Sequence, residues 1–83
     1  MTENEKEQAI KIAMAMVAEV IRARKKYPTF NSVHEGYGVL AEEYHELEAE
    51  VFKHTTDTQL LSNEAIQVGA MAIRLIQDCC LNG

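Results

Sequence analysis

Turn-forming residues are scarce in this sequence. It contains one proline and four glycines among 83 residues, and no Asn-Gly or Asp-Gly pair separates two apolar segments as in a β-hairpin. No segment sustains the polar–apolar alternation of a half-buried strand. Apolar residues instead recur every three or four positions, which predicts an all-α protein forming a single domain over residues 1–83.

Cysteine pairs, long apolar runs and an excess of basic residues are also missing. Cys79 and Cys80 are adjacent within an apolar helical pattern, which indicates neither a disulfide framework nor a zinc site. No apolar run reaches the length of a membrane span, and the N-terminal residues MTENEKEQ are too polar for a signal peptide, so a cytoplasmic location is expected. A net charge of −5 argues against a nucleic-acid polymer or an anionic membrane as partner.

Start and stop signals divide the chain into three helices. Thr2 with Glu5 and Ser32 with Glu35 have the spacing of capping boxes, and Pro28 disfavours helical geometry at the residue before it. The basic run at 22–26 suits the last turn of the first helix. The predicted helices run from about Glu3 to Lys26, from Ser32 to the loop His54–Gln59, and from about Leu60 to Cys80.

Apolar residues are too abundant for one three-helix chain to bury. They make up 47% of the sequence, although tryptophan is absent. The third helix is apolar on nearly every side, and the second carries a heptad-like seam that is expected in the core. The seam consists of Val33, Tyr37, Leu40, Tyr44, Leu47 and Val51. A second copy is therefore expected to complete the core.

Glutamates border this seam on one side. At about 100° per residue, Glu43, Glu46 and Glu50 fall along one flank of the second helix, whereas Glu42 and His45 point away from it. The third helix carries a narrow polar stripe of Asn63, Glu64, Gln67, Arg74 and Asp78. In an antiparallel hairpin the two flanks face each other, so that three or four carboxylates meet at the edge of the core. Sites made only of oxygens favour Mg²⁺ or Mn²⁺.

Two other interpretations of these acids stay open at this point. The glutamates can be a solvated helix surface that pairs with basic residues of the first helix, namely Lys11, Arg22 or Arg24. Alternatively, Glu42 and His45 form an E-x-x-H pair, and two copies would supply the ligand set of a di-iron bundle. The orientation of this pair away from the seam argues against the di-iron site.

The segments LAEEYHELEAEVF and NEAIQVGAMAIRLIQD, joined by a short loop, resemble the MazG-like all-α nucleoside triphosphate pyrophosphohydrolases. The motif of that family is E-x-x-E on one helix and E-x-x-D on the next. The similarity covers about Phe30 to Asp78, and the lead-in FNSVHEGYGVLAEE is similar to a small branch found in phages and bacteria. It implies a homodimer or homotetramer in which the second and third helices form a four-helix bundle. It also implies hydrolysis of an NTP or dNTP to the monophosphate and pyrophosphate with bound Mg²⁺ or Mn²⁺.

The resemblance also implies roles for individual residues. Glu43 and Glu46 would be catalytic residues and metal ligands, with Glu64 and Gln67 as further ligands. The candidate substrate contacts are Arg74, Lys53, His34 and Asn31. Gln67 departs from the motif, which has Asp at this position, and the change removes one negative charge from the site. The alternative function is therefore a catalytically weakened relative that binds a nucleotide or a protein partner without turnover.

Overall fold

The computed structural model describes residues 1–81 and contains three α-helices followed by one short π-helix. The α-helices are α1 (Glu3–Lys26), α2 (Val33–Val51) and α3 (Thr58–Ile76), and the π-helix covers Gln77–Leu81. No strand occurs among the described residues, which confirms the all-α prediction. Within residues 1–81, no helix is both long and apolar enough to cross a lipid bilayer.

The helix starts follow the capping signals in the sequence. Thr2 and Glu5 form the predicted capping box, each side chain accepting from the backbone N–H of the other. Ser32 accepts from the backbone N–H of Glu35, but the Glu35 carboxylate accepts from Asn31 instead, so the second box is only half formed. Helix α3 begins before the predicted Leu60, because Asp57 caps its first turn.

Helix α3 packs against both other helices, and the small core lies along it. Val20 of α1 is buried against Ala70 and Met71 of α3. Gly36 permits the close approach of α2, because a Cβ atom there would lie only 2.6 Å from Leu75 Cδ1.

The prediction that the seam of α2 lies in the core is wrong for the single chain. Val33, Tyr37, Tyr44 and Val51 are between 47% and 65% exposed, and only Leu40 and Leu47 are half-buried. The face of α2 that meets α3 is rotated relative to the seam and contains Gly36, Val39, Leu40, Glu43 and Glu50. The physical reason is the glycine, which lets α2 approach α3 closely on its own side of the helix.

Apolar surface is also exposed on α1. Its outer stripe consists of Ile10, Met14, Val17 and Ile21, spaced as one face of a helix. Helix α3 buries only Ala70, Met71 and Arg74, although the sequence predicts burial on most of its sides. The described chain thus leaves much of its apolar content uncovered.

Candidate metal centre

The hairpin of α2 and α3 brings three glutamates together. Glu43 and Glu46 lie one turn apart on α2, and Glu64 lies in the second turn of α3. One carboxylate oxygen from each lies within 4.8 Å of the other two. Glu43 and Glu64 are half-buried and Glu46 is exposed, so the cluster opens to solvent on one side.

Electrostatic repulsion is concentrated in this cluster. Partial burial, followed by the charges of Glu46 and Glu64, raises the pKa of Glu43 to about 6. Burial likewise raises the pKa of Glu64, and Glu46 and Glu50 add to the shift. A bound cation would favour the ionised form of these groups and offset the repulsion.

A fourth acid, Glu50, lies deeper in the same hairpin. It is only 6% exposed, and its Oε2 atom is 2.7 Å from Nζ of Lys53. Its buried Oε1 atom has no hydrogen-bond partner among the described residues. The charge of Glu50 contributes to the raised pKa of Glu64, so Glu50 lies next to the cluster. It brings a buried carboxylate oxygen without a hydrogen-bond partner to this place.

Gln67 faces a residue that the sequence pattern did not single out. Its side chain lies near Glu19 of α1, where the ion pair with Arg22 and then Gln67 lower the pKa of Glu19. Glu19 is half-buried beside the buried Val20. The sequence shows only that this acid lies next to an apolar position of α1. That position points to Gln67 only once α1 is known to pack beside it.

Arg74 lies in the interior, away from the solvent edge of the cluster. It is 2% exposed, its guanidinium carbon lies 4.3 Å from the centre of the Phe30 ring, and its Nη2 atom donates to the Pro28 carbonyl at 3.2 Å. Burial lowers its pKa, and Arg24 acts in the same direction. Asp78 pairs with Arg24 at 2.7 Å and accepts from the Phe30 backbone N–H. The stripe predicted on α3 therefore divides into a part that faces the glutamates of α2 and a part that makes structural contacts.

The other predicted substrate contacts are spread over the surface. Lys53 is paired with Glu50 at the edge of the cluster, so it lies close to the carboxylates. Asn31 donates to Glu35 in the loop before α2, and His34 is exposed in the first turn of that helix. His45 is exposed beside Tyr44, and neither it nor Glu42 belongs to the three-carboxylate cluster.

Comparison of the chain with protein-family models, with curated proteins and with solved structures finds no match. The resemblance to MazG-like enzymes therefore stays a prediction. A fold of three helices is compatible with many activities, so the function has to be inferred from the site itself.

The raised pKa of Glu43 predicts a pH-dependent loss of stability. A carboxyl with a higher pKa in the folded state binds its proton more tightly there, so folding is weakened as the pH rises from about 4.5 to about 6. Relative to Glu43→Gln, the metal-free wild type should lose about 1 kcal/mol of unfolding free energy over this range. A fully buried carboxyl with the same pKa shift would lose about twice this free energy. The loss is smaller for Glu43 because its carboxylate keeps contact with water.

Urea unfolding at several pH values, at one protein concentration and with a chelator, measures this difference. Glu48→Gln is the matched control, because Glu48 is exposed on the same helix and lies outside the cluster. A wild type and a Glu43→Gln variant with parallel pH profiles would contradict the assignment of repulsion to Glu43.

Proposed function

We propose that this protein is a Mg²⁺- or Mn²⁺-dependent nucleoside triphosphate pyrophosphohydrolase. The observation that carries the proposal is the convergence of Glu43, Glu46 and Glu64, whose carboxylate oxygens lie within 4.8 Å of one another. The raised pKa values of Glu43 and Glu64 support it, because a site without a counter-charge is electrostatically unfavourable.

The donor set fits a hard divalent cation. All donors are carboxylate oxygens, which suit Mg²⁺ and Mn²⁺ better than the softer metals that prefer nitrogen or sulfur. The unpaired Oε1 atom of Glu50 offers a further oxygen near Glu64. Glu43 and Glu46 come from one helix and Glu64 from another, so the hairpin packing itself holds the ligands at a fixed separation.

The reaction proposed is attack of water on the α-phosphorus of a nucleoside triphosphate. A bound cation would neutralise charge on the phosphate oxygens. Glu43, the half-buried carboxylate of the pair on α2, would accept the proton of the attacking water. The bond between the α-phosphorus and its bridging oxygen breaks, and the products are the monophosphate and pyrophosphate. Exposed Glu46 lies on the open side of the cluster, where the triphosphate would enter.

Pyrophosphate release from a panel of NTPs and dNTPs, with Mg²⁺ or Mn²⁺ and with chelator, tests this proposal. Metal-dependent release of one pyrophosphate per monophosphate is the expected result. Absence of release across the panel at high protein concentration would favour the second candidate, a relative that binds a nucleotide without turnover.

The second candidate is favoured by the position of Gln67. This residue supplies no charge, and its side chain is engaged by Glu19 of α1. A fourth carboxylate at position 67 should strengthen cation binding, but next to Glu19 it would meet a like charge. The exchange Glu19→Gln with Gln67→Asp moves the carboxylate to α3 without creating a like-charged pair.

The exchanged variant should bind Mn²⁺ about 10-fold more tightly than the wild type, and any pyrophosphate release should increase with it. Isothermal titration with Mn²⁺ measures the affinity, and Glu19→Gln alone is the control. Unchanged Mn²⁺ binding in a folded double variant would show that position 67 does not contribute to the metal site.

We also infer that the functional form is a homodimer or homotetramer in which α2 and α3 build a four-helix bundle. Among residues 1–81 the buried hydrophobic residues are only Val20, Phe30, Ala70 and Met71, which is a small core for a chain of this length. The α2 stripe of Val33, Tyr37, Tyr44 and Val51 is exposed and continuous along the helix. A second copy of the same stripe is a self-complementary cover, as a twofold interface requires.

Sedimentation at micromolar concentration should give two or four times the mass of the chain. Tyr37→Ser with Tyr44→Ser should shift this to a single chain, because both side chains lie in the proposed interface. Ile12→Ser is the control. Ile12 is also about half exposed, but it lies on α1, away from the α2 stripe and opposite the outer stripe of α1. A single-chain mass for the wild type would contradict the inference.

A further inference from the structure

A second feature adjoins the carboxylate cluster: a cavity of about 300 Å³ between the α1–α2 loop and the two hairpin helices. Its walls include Tyr27, Phe30, Glu42, Glu43 and Arg74. Glu43 belongs both to this wall and to the cluster, so the cavity and the proposed metal site share one residue. A ligand whose phosphates lie at the cluster would therefore have the cavity within its reach.

The walls of the cavity are aromatic and carry a planar cation. Tyr27 is 58% exposed, and the Arg74 guanidinium stacks on the buried Phe30 ring at 4.3 Å. Arg74 is 2% exposed, and its Nε atom has no hydrogen-bond partner among the residues described. Of these three side chains, Tyr27 has the open face, and aromatic rings are surfaces on which nucleobases stack.

The charges of the cavity disfavour a phosphate and favour a group rich in hydrogen-bond donors. Three carboxylates, those of Glu35, Glu42 and Glu43, line it against the single cation of Arg74. An ionised carboxylate only accepts hydrogen bonds. Glu35 already accepts two from Asn31, whereas Glu42 is exposed at the cavity wall. Because Glu43 belongs to the three-carboxylate cluster, Glu42 is the acceptor of the cavity wall that remains for a ligand.

We propose that this cavity binds the base of the nucleotide and that Glu42 selects bases carrying an exocyclic amino group. The inference rests on the proposed function for its substrate class. An amino group donates to the Glu42 carboxylate. A keto oxygen at the same place on the ring would face the carboxylate as a second acceptor and leave both unpaired. Cytosine and uracil are nearly equal in size but differ in this group and at N3, which accepts in cytosine and donates in uracil, so they separate hydrogen bonding from fit.

The test uses cytidine and uridine, without phosphate and without divalent cation, so that the carboxylate cluster does not take part. Chemical shifts of the ¹⁵N-labelled protein report binding through the Phe30 amide and the Arg74 Nε–H. Cytidine should bind at least about 10-fold more tightly than uridine. Glu42→Gln should reduce the ratio to within about 2-fold, because an amide both donates and accepts. Glu48→Gln, a matched change on the exposed side of α2, should leave the ratio unchanged.

A variant of the aromatic wall tests the stacking separately. Tyr27→Ala should weaken the binding of cytidine and of uridine by a similar factor of about 5 to 10, because stacking does not depend on the amino group. Equal shifts with cytidine and uridine in the wild type, or shifts that avoid Phe30 and Arg74, would overturn the proposal.

Mn²⁺ binding, followed by the relaxation rate of water protons, separates this proposal from the proposed function. Mn²⁺ binding and pyrophosphate release without a cytidine preference would refute the base site alone. A cytidine preference without Mn²⁺ binding would refute the metal-dependent reaction and leave the base site standing. Glu42→Gln should keep the Mn²⁺ affinity within about 2-fold, because Glu42 lies outside the three-carboxylate cluster.

Discussion

Glu43→Gln should abolish metal-dependent pyrophosphate release while leaving a folded protein. The substitution removes one of three converging carboxylates and the group proposed to accept the proton from water. A decrease in kcat/KM of at least about 100-fold is expected, because metal-assisted charge stabilisation and proton transfer each contribute several kcal/mol. The pyrophosphate assay with Mg²⁺ measures the loss, and Mn²⁺ titration measures the accompanying fall in affinity.

The folded state of the Glu43→Gln variant distinguishes a site residue from a structural one. Because repulsion at Glu43 opposes folding, the metal-free variant should be at least as stable as the wild type at neutral pH. Glu48→Gln, which makes the same chemical change on the exposed side of α2, should retain full activity. A Glu43→Gln variant that is folded and equally active would remove the carboxylate cluster from the mechanism.

Arg74→Ala should have the largest effect on stability among the residues discussed. Its guanidinium is buried, stacks on Phe30 and donates to the Pro28 carbonyl, so it joins α3 to the loop between α1 and α2. Truncation leaves a cavity, an unpaired carbonyl and a weaker counter-charge for Asp78. A loss of about 3 kcal/mol in the free energy of unfolding is expected, measured by urea unfolding at constant protein concentration.

Two further variants define the origin of that loss. Arg74→Met keeps most of the side-chain volume and should lose less stability than Arg74→Ala, because the packing on Phe30 is partly retained. Arg22→Ala removes an exposed arginine paired with Glu19 and should leave the unfolding free energy nearly unchanged. Equal, small effects for Arg74→Ala and Arg22→Ala would show that the buried guanidinium does not join the loop to α3.

The helices and the three carboxylates were predictable because both depend on local periodicity. Capping residues and Pro28 mark the helix ends within a few positions. Spacings of three and four residues place Glu43 and Glu46 on one flank of α2, and a short loop returns the chain antiparallel, so that carboxylates of the two helices face each other. The resemblance named Glu64 as the acid of α3, and its carboxylate lies within 4.8 Å of the other two. These relations involve one helix or one hairpin, so no knowledge of distant packing is needed.

Which face of each helix packs against a neighbouring helix was not predictable in the same way. The apolar seam of α2 suggested that Tyr37 and Tyr44 lie inside, yet both are exposed in the single chain. An amphipathic pattern identifies an apolar face but does not say whether a neighbouring helix or a second copy covers it. Gly36 favours the observed rotation of α2, because its lack of a side chain lets this side of the helix approach Leu75 and Phe30.

Hydrogen bonding and spacing along the chain were enough to predict the fold class, the helix limits and a group of glutamates between the second and third helices, while the resemblance named Glu43, Glu46 and Glu64 among them. Only the tertiary structure placed Glu19 against Gln67, buried Arg74 against Phe30, and put Glu42 and Glu43 on the wall of one cavity. These contacts join residues that are far apart in the chain. They depend on how closely and at what rotation the helices pack, and that is set by the volumes of all the side chains between them.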